Sequence, residues 1–324
     1  MFVSVVIPTY NRKDSLSETL ASLSQQTWPA NRFEVIIVDD GSTDGTADVI
    51  REPLSFAVQY HYQSNQGGVT ARNLGAQHSN GNLLIFLDDD IIVEPEFISS
   101  LVQEHETYDR VIAMGTFRPS LTSQDTPFRA LYACITPTGN DDMTDGFVSF
   151  TECVSNNLSI ERDAFFALGM WQNIVTGGGG WWADVDFGYR AHLQGFCFRR
   201  SPTAICYHND YAINDLATAC RRLEAVAQYA VALFRKHPHL EPHIPMFQDK
   251  GYISWRKDPP RLICRKLARQ IASTRPALWG MEQIVSVLEQ LYPSPILLHS
   301  LYRWIIGGYI FRGYRQGLRE CEGH

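Results

Sequence analysis

The chain has 324 residues, 44% of them hydrophobic and 19% charged, with a net charge of −7. That length suits one large domain or a domain with an appendage, and the apolar and aromatic content excludes a disordered chain. The negative balance argues against a general nucleic-acid binder.

The chain opens on Phe2-Val3-Ser4-Val5-Val6-Ile7, a β-branched run that reads as a strand. It leaves no room for a basic segment ahead of an apolar stretch, so a secretory signal is not expected. Further short apolar runs follow at 34–38 and 83–87, with a weaker one at 56–62. Helical periodicity falls at about 13–26, 44–51, 67–79 and 95–106. Alternation of this kind implies a parallel sheet with helices on both faces, and such sheets bind ligands beyond the carboxyl ends of their strands.

Three polar clusters stand at those ends. Pro8-Thr9-Tyr10-Asn11-Arg12 follows the first run, Asp39-Asp40-Gly41-Ser42 the second, and Asp88-Asp89-Asp90 the fourth. Polar turns alone account for Ser42 or Asp44 as helix caps. They do not account for three adjacent carboxylates after Leu83-Leu84-Ile85-Phe86-Leu87. Like charges so placed repel, and a cation among them relieves that repulsion. Asp88-x-Asp90 offers hard oxygen ligands suited to Mg²⁺ or Mn²⁺, with an acidic helix start as the competing role.

The middle of the chain is less regular. A loop is expected around Asp141, Asp142, Thr144 and Asp145, with strands at 147–151 and 157–160. Gly177 to Gly180 form the most flexible stretch, followed by Trp181-Trp182 and a helical pattern through Gln194. Residues 196–207 read as a strand pair. From about 213 the pattern is helical, over 213–237, 261–274, 278–292 and 296–318. No apolar run reaches the length of a membrane span. Seven scattered cysteines without a C-x-x-C pair fit a reduced, cytoplasmic setting.

Taken together, Val3–Arg12, Glu34–Asp44, Asn65-Gln66-Gly67-Gly68 with Ala71-Arg72-Asn73, and Asp88–Asp90 resemble the family 2 glycosyltransferases, in order and at family spacing. The resemblance runs through about residue 210. It implies a GT-A fold, α/β with a mainly parallel Rossmann-like sheet flanked by helices, over 1–210, and a helical extension over 211–324. It implies an inverting, metal-assisted transfer from a nucleoside-diphosphate sugar, UDP-linked, to a hydroxyl of a glycan or lipid-linked glycan.

Site residues carry over one by one. Pro8, Thr9 and Tyr10 would bind the nucleotide. Asp40 would accept from the uracil N–H, with Asp39 as the fallback and turn capping as the alternative for both. Arg72 would lie near base or phosphates, or form a surface ion pair. Asp88 would bond the ribose or donor sugar and could share the metal. Asp90 would ligate the metal, with Asp89 in reserve and His208 approaching ion or diphosphate. In Ala183-Asp184-Val185-Asp186-Phe187-Gly188-Tyr189-Arg190, Asp184 and Arg190 match the second acidic motif, while Ala183 replaces its usual Glu. Asp184 would be the general base, with Asp186 as runner-up and a helix cap as the competing role. Trp181 and Trp182 would line the acceptor site, or be core residues, and Arg190 would contact substrate.

Three other readings compete with this one, of which a dinucleotide oxidoreductase is disfavoured because no G-x-G-x-x-G follows any strand. A sugar-phosphate nucleotidyltransferase would need an early Gly-rich, basic phosphate loop, which the chain lacks. A non-catalytic nucleotide-sugar-binding protein draws its support from Ala183.

The last segment inverts the charge. Residues 251–324 hold 11 Lys/Arg and 5 Asp/Glu, against 17 and 30 before them. Arg261, Arg265 and Arg269 recur at helical spacing opposite Ile263, Leu267 and Ile271, which predicts an outward basic face over a buried apolar one. A helical cap on the core or a homodimer interface is the favoured reading of this pattern. It also allows peripheral contact at the inner face of a membrane. Ser300 stands where the processive synthases of the family need a Gln before Arg303-Trp304, which disfavours polymer synthesis.

Overall fold

The computed structural model describes residues 1–51, 53–118, 128–129, 146–175, 180, 182–208, 215–291 and 295–322. The chain divides into two compact units, one of Met1–Ser123 with Pro137–Asp210, the other of Gln124–Thr136 with Tyr211–His324.

The first unit is built on a sheet. Its described strands are β1 (Val3–Thr9), β2 (Phe33–Asp39), β3 (Ala57–Tyr62), β4 (Leu83–Leu87), β5 (Ile91–Val93), β6 (Val111–Arg118), β7 (Asn157–Glu161) and β8 (Cys197–His208), in the order β3-β2-β1-β4-β7-β6-β8-β5. β3, β2, β1 and β4 run parallel. β6 also runs parallel to β8, so the sheet is mainly parallel as expected, with two exceptions: β7 enters antiparallel between β4 and β6, and β5 pairs antiparallel with β8. The central strands are buried on both faces, which is why they read as unbroken apolar runs.

Helices α1 (Lys13–Leu23) and α3 (Phe97–Thr107) cover one face, where Leu16, Leu20, Phe97 and Leu101 join Val5, Ile37 and Ile85 in one core. Helix α2 (Gly68–Gln77) packs on β1 and β2. Two further helices, α4 (Arg162–Ala167) and α5 (Ala183–Leu193), bring Phe165 and Phe187 against Trp171 and Phe86, with ring centroids 4.3 to 5.9 Å apart. Such packed rings add roughly 1 kcal/mol per pair beyond area burial.

Three local readings change. Residues 46–51 form a 3₁₀ helix, not an α-helix. Phe147 makes only a single bridge to Arg199, and Phe150–Glu152 is a 3₁₀ turn, so no strand spans 147–151. Residues 197–208 are one long strand that pairs first with β6 and then with β5. The loop expected around Asp141–Asp145 lies outside the described residues, as do Gly177–Gly179 and Trp181.

One buried histidine couples this unit to pH. His105 Nε2 stands 3.0 Å from Ser159 Oγ, whose hydroxyl donates to the Ala113 carbonyl, so the imidazole donates to Ser159. Burial holds its pKa down, from 6.5 to about 4. The unfolded chain therefore takes the proton first, and stability is lost as pH falls from 6.5 toward 4, by up to about 3 kcal/mol. His105→Gln is expected to flatten the fall of Tm across that window. An unchanged slope would mean other groups set the acid limb.

In the second unit, α6 (Leu216–Lys236) starts at Asp215, whose carboxylate accepts from the Thr218 N–H at 2.8 Å. It packs along α9 (Pro295–Glu322), with α7 (Pro260–Ala272) and α8 (Arg275–Leu291) completing the helical set. A Cβ at Gly313 or Gly317 would stand 1.9 or 2.2 Å from a carbonyl of α6, so only glycine permits this approach.

Candidate active site

Strand pairing draws the polar clusters to one edge of the sheet. Thr9 ends β1 beside β4, and its hydroxyl donates to Asp89 Oδ2 at 2.7 Å. Leu87 pairs with Asn157, so the turn before β7 lies against Asp88, whose N–H donates to the Asn156 carbonyl at 3.1 Å. Ile91 pairs with His208, which carries the imidazole to the residue just before Ile91. His208 Nε2 accordingly stands 3.4 Å from Asp90 Oδ1.

The three carboxylates face different partners. Asp88 pairs with Arg72 from the first turn of α2. Asp89 and Asp90 both pair with Arg12, the former at 3.4 Å. Burial pushes Asp89 up to about 7, against the opposing pull of Thr9 and Arg12. Burial also acts on Asp90, but His208 and Arg12 outweigh it and hold that carboxyl below its ordinary value. Arg12 and the turn residue Ser155 are functional candidates that sequence reasoning did not assign. Arg12 follows the first strand within the quoted motif, whereas nothing around Ser155 signals its neighbour across the sheet.

Asp90 Oδ1 is buried without a hydrogen-bond partner, beside an imidazole nitrogen. An oxygen and a nitrogen donor of this kind fit Mn²⁺ or Mg²⁺. No group of three His, Cys, Asp or Glu ligands exists among the described residues, so an ion there would need ligands from its substrate. Asp88 is paired with Arg72.

The Asp39-Asp40 turn is a structural hub. Asp40 accepts from Gln63 Nε2 at 2.6 Å and from the N–H groups of Gln66 and Gly67 at 2.8 Å each. Asp39 accepts from the Ser42 N–H at 2.7 Å and from the Tyr60 hydroxyl. Each Asp39 oxygen thus has one donor among the described residues and keeps acceptor capacity, while Asp40 Oδ1 already has two. Asn11 and Asp44 tie the loops after β1 and β2 together, through Ser42, Thr43 and Lys13. Tyr10 is exposed beside them, and Pro8 lies within β1.

Asp184 lies in the first turn of α5, next to Trp182, which holds a left-handed backbone with φ of 69°. A non-glycine residue in that region is strained and is held there by its surroundings. Ala183, where the family motif has Glu, is buried. Burial raises the Asp184 pKa, and the Arg72 charge with hydrogen bonds from Ser155 offsets this only in part. Asp186 differs, being fully buried and paired with Arg190 at 2.9 Å. Arg190 also donates to the carbonyls of Leu168 and Met170, the latter at 2.8 Å, so its guanidinium clamps α5 to the turn after α4. Arg72, Asp88, Asp184 and Ser155 therefore form one electrostatic set, with Asp90 and His208 beside it.

Residues 4–156 match the family described as Glycosyl transferase family 2. The chain is 31% identical over 220 residues to validoxylamine A glucosyltransferase of Streptomyces hygroscopicus subsp. jinggangensis, covering 60% of this chain and 52% of that protein. It is 40% identical over 134 residues to the undecaprenyl-phosphate 4-deoxy-4-formamido-L-arabinose transferase of Edwardsiella ictaluri, covering 40% of each. The chain spans about half the length of the first of these curated relatives. Among solved structures it resembles a mannosyltransferase of Pyrobaculum calidifontis in complex with GDP-Man and Mn²⁺, with TM-score 0.64 and 18% identity over 97% of this chain and 87% of that one. It also resembles S. aureus TarS 1–349 in complex with UDP, with TM-score 0.55 and 18% identity over 98% and 92%. These likenesses show the fold.

Proposed function

We propose that this chain, whose residues 4–156 match glycosyl transferase family 2, transfers a sugar from a nucleoside-diphosphate sugar to an acceptor hydroxyl, with inversion at the anomeric carbon. The observation that carries the reading is Asp184. It is a partly buried carboxylate with a raised pKa, held by Ser155 and lying in the field of Arg72, beside the carboxylates that end β4. Asp184 takes the proton of the acceptor hydroxyl as that oxygen attacks. A single base on one side of the sugar serves a one-step displacement, unlike the flanking carboxylate pair of glycosidases.

Asp88, fixed by Arg72, orients the donor sugar or ribose. Thr9 and Arg12 set the position and charge of Asp89 and Asp90. Asp90 and His208 would hold a divalent cation, Mn²⁺ or Mg²⁺, which would supply positive charge to the departing diphosphate. The mannosyltransferase in complex with GDP-Man and Mn²⁺ supports this donor and ion class. A UDP-linked donor would present its pyrimidine imide N–H to Asp40, whose Oδ2 has a single donor among the described residues, with Asp39 as the fallback. Trp182 would offer its ring face to the acceptor. The acceptor is a glycan or lipid-linked glycan, in keeping with the name of the Edwardsiella relative. The setting is cytoplasmic; among the described residues no helix is long and apolar enough to cross a membrane.

Incubation with UDP-sugars and Mn²⁺, followed by proton NMR of the product, tests this. The expected product has the anomeric configuration opposite to the donor. Retained configuration overturns the single displacement, and turnover of GDP-sugars alone overturns the choice of base.

A further inference from the structure

Helix α7 departs in part from the sequence expectation: Arg261 and Arg265 are exposed and Ile263 is half-buried, but Arg269 turns inward while Leu267 and Ile271 turn outward. Lys266 and Arg269 face inward. Lys266 donates to the Tyr252 carbonyl at 2.9 Å and to Asp258 at 2.7 Å. Arg269 donates to the Trp304 carbonyl at 3.0 Å and stacks over the Trp304 ring. Leu267 and Ile271 point outward, Ile271 with 70% of its surface exposed. An amphipathic helix normally buries its apolar stripe, so this stripe has another surface to meet.

Helix α8 extends the same surface. Leu278 and Val285 are buried, while Trp279 is 65% and Leu291 77% exposed, with Ile284 and Val287 between them. Its two carboxylates accept from α9, Glu282 from the Tyr309 hydroxyl and Glu289 from the Tyr302 hydroxyl. Outside, Gln283, Ser286, Glu289 and Gln290 interrupt the apolar residues, and the Glu289 carboxylate is engaged by the Tyr302 hydroxyl. A Cβ at Gly307 would meet Arg269, and one at Gly308 would meet Leu278, so α7 and α8 lie side by side on α9.

The rim of this surface is cationic. Arg256, Lys257 and Arg261 are exposed around the start of α7, next to the exposed Trp255, and Arg275 is exposed at the start of α8. Asp258, the acid nearest to them, is held inward by Lys266 and the Ser254 N–H. A second copy would set one cationic rim against another. An anionic surface meets both parts of the pattern, because Trp and aliphatic side chains enter the headgroup zone while Arg and Lys pair with phosphates.

We propose that the α7–α8 face docks this chain on an anionic lipid bilayer, with Ile271, Trp279 and Leu291 as anchors and Arg256, Arg261 and Arg275 at the headgroups. Docking is independent of the chemistry at Asp184 and needs no substrate.

Co-sedimentation of the full chain with vesicles tests it. Binding is expected to phosphatidylcholine vesicles enriched in phosphatidylglycerol, about tenfold stronger than to pure phosphatidylcholine, and to weaken at high salt. Ile271→Asp with Trp279→Asp is expected to reduce binding about tenfold or more. Arg256→Glu with Arg261→Glu should act similarly through charge alone. Both pairs are exposed, so an unchanged Tm confirms folding, and donor hydrolysis stays at the parental rate. Equal binding to neutral vesicles, no binding to either kind, or variants that bind as the parent overturns the proposal. So does a parental dimer that the same variants disperse in sedimentation equilibrium, since the occupant is then a second copy.

Discussion

Asp184→Asn is expected to lower kcat by about 10² to 10⁴-fold while donor binding persists, because general-base catalysis contributes on that order. Single-turnover rates and a donor-induced Tm shift separate the two effects. The pH dependence carries its own sign. Burial raises the Asp184 pKa, and transfer requires the ionised form. The rate therefore falls with acidity at a higher pH than an ordinary carboxylate would give, and the variant loses that limb. Stability runs the other way. The folded state disfavours the ionised carboxylate, so the amide is expected to leave Tm at or above the parental value near neutral pH. Asp186→Asn gives the contrast. It removes the buried partner of Arg190 and is expected to lower Tm markedly, as removing one member of a buried pair does. A kcat loss in Asp186→Asn with unchanged Tm, and none in Asp184→Asn, would transfer the base to Asp186.

The second large effect concerns the ion. Asp90→Ala is expected to reduce transfer roughly a thousandfold, since metal stabilisation of a leaving group contributes several kcal/mol. After chelation, Mn²⁺ should restore the parental enzyme and not the variant. Isothermal titration gives a readout apart from turnover, in which Mn²⁺ binding in the presence of nucleoside diphosphate disappears with Asp90. A variant that still binds and responds to Mn²⁺ would move the ion away from the end of β4.

The parallel half of the first unit is legible in the sequence because burial on both faces removes polar residues from β1, β2 and β4. The other half is not. β5 has three residues, and β6 contains a register shift between Met114 and Thr116, so neither leaves a clean period. Whether β7 enters parallel or antiparallel is decided by where it pairs, and nothing between Asn157 and Glu161 encodes that. The same limit governs the site. Asp88–Asp90 stand out locally, but Ser155, in the turn before β7, meets Asp184, on α5, only once the chain has folded. In α7 the period marks two stripes without saying which turns inward. That choice rests on Asp249, which pairs with Lys250, Arg265 and Arg269, and on Asp258.

The stitching of the loops beneath the site has one more consequence. Asn11 and Asp44 join the segments after β1 and β2, Asp40 fastens Gln66 and Gly67, and Asn156 secures Asp88, all by side chain–backbone or backbone–backbone bonds that need no visitor. The cradle is thus set when the chain folds, and an incoming guest has little left to organise. Selectivity among guests then falls to the few side chains standing above this fixed floor. Exchanging those would retune the protein while its foundation stayed still.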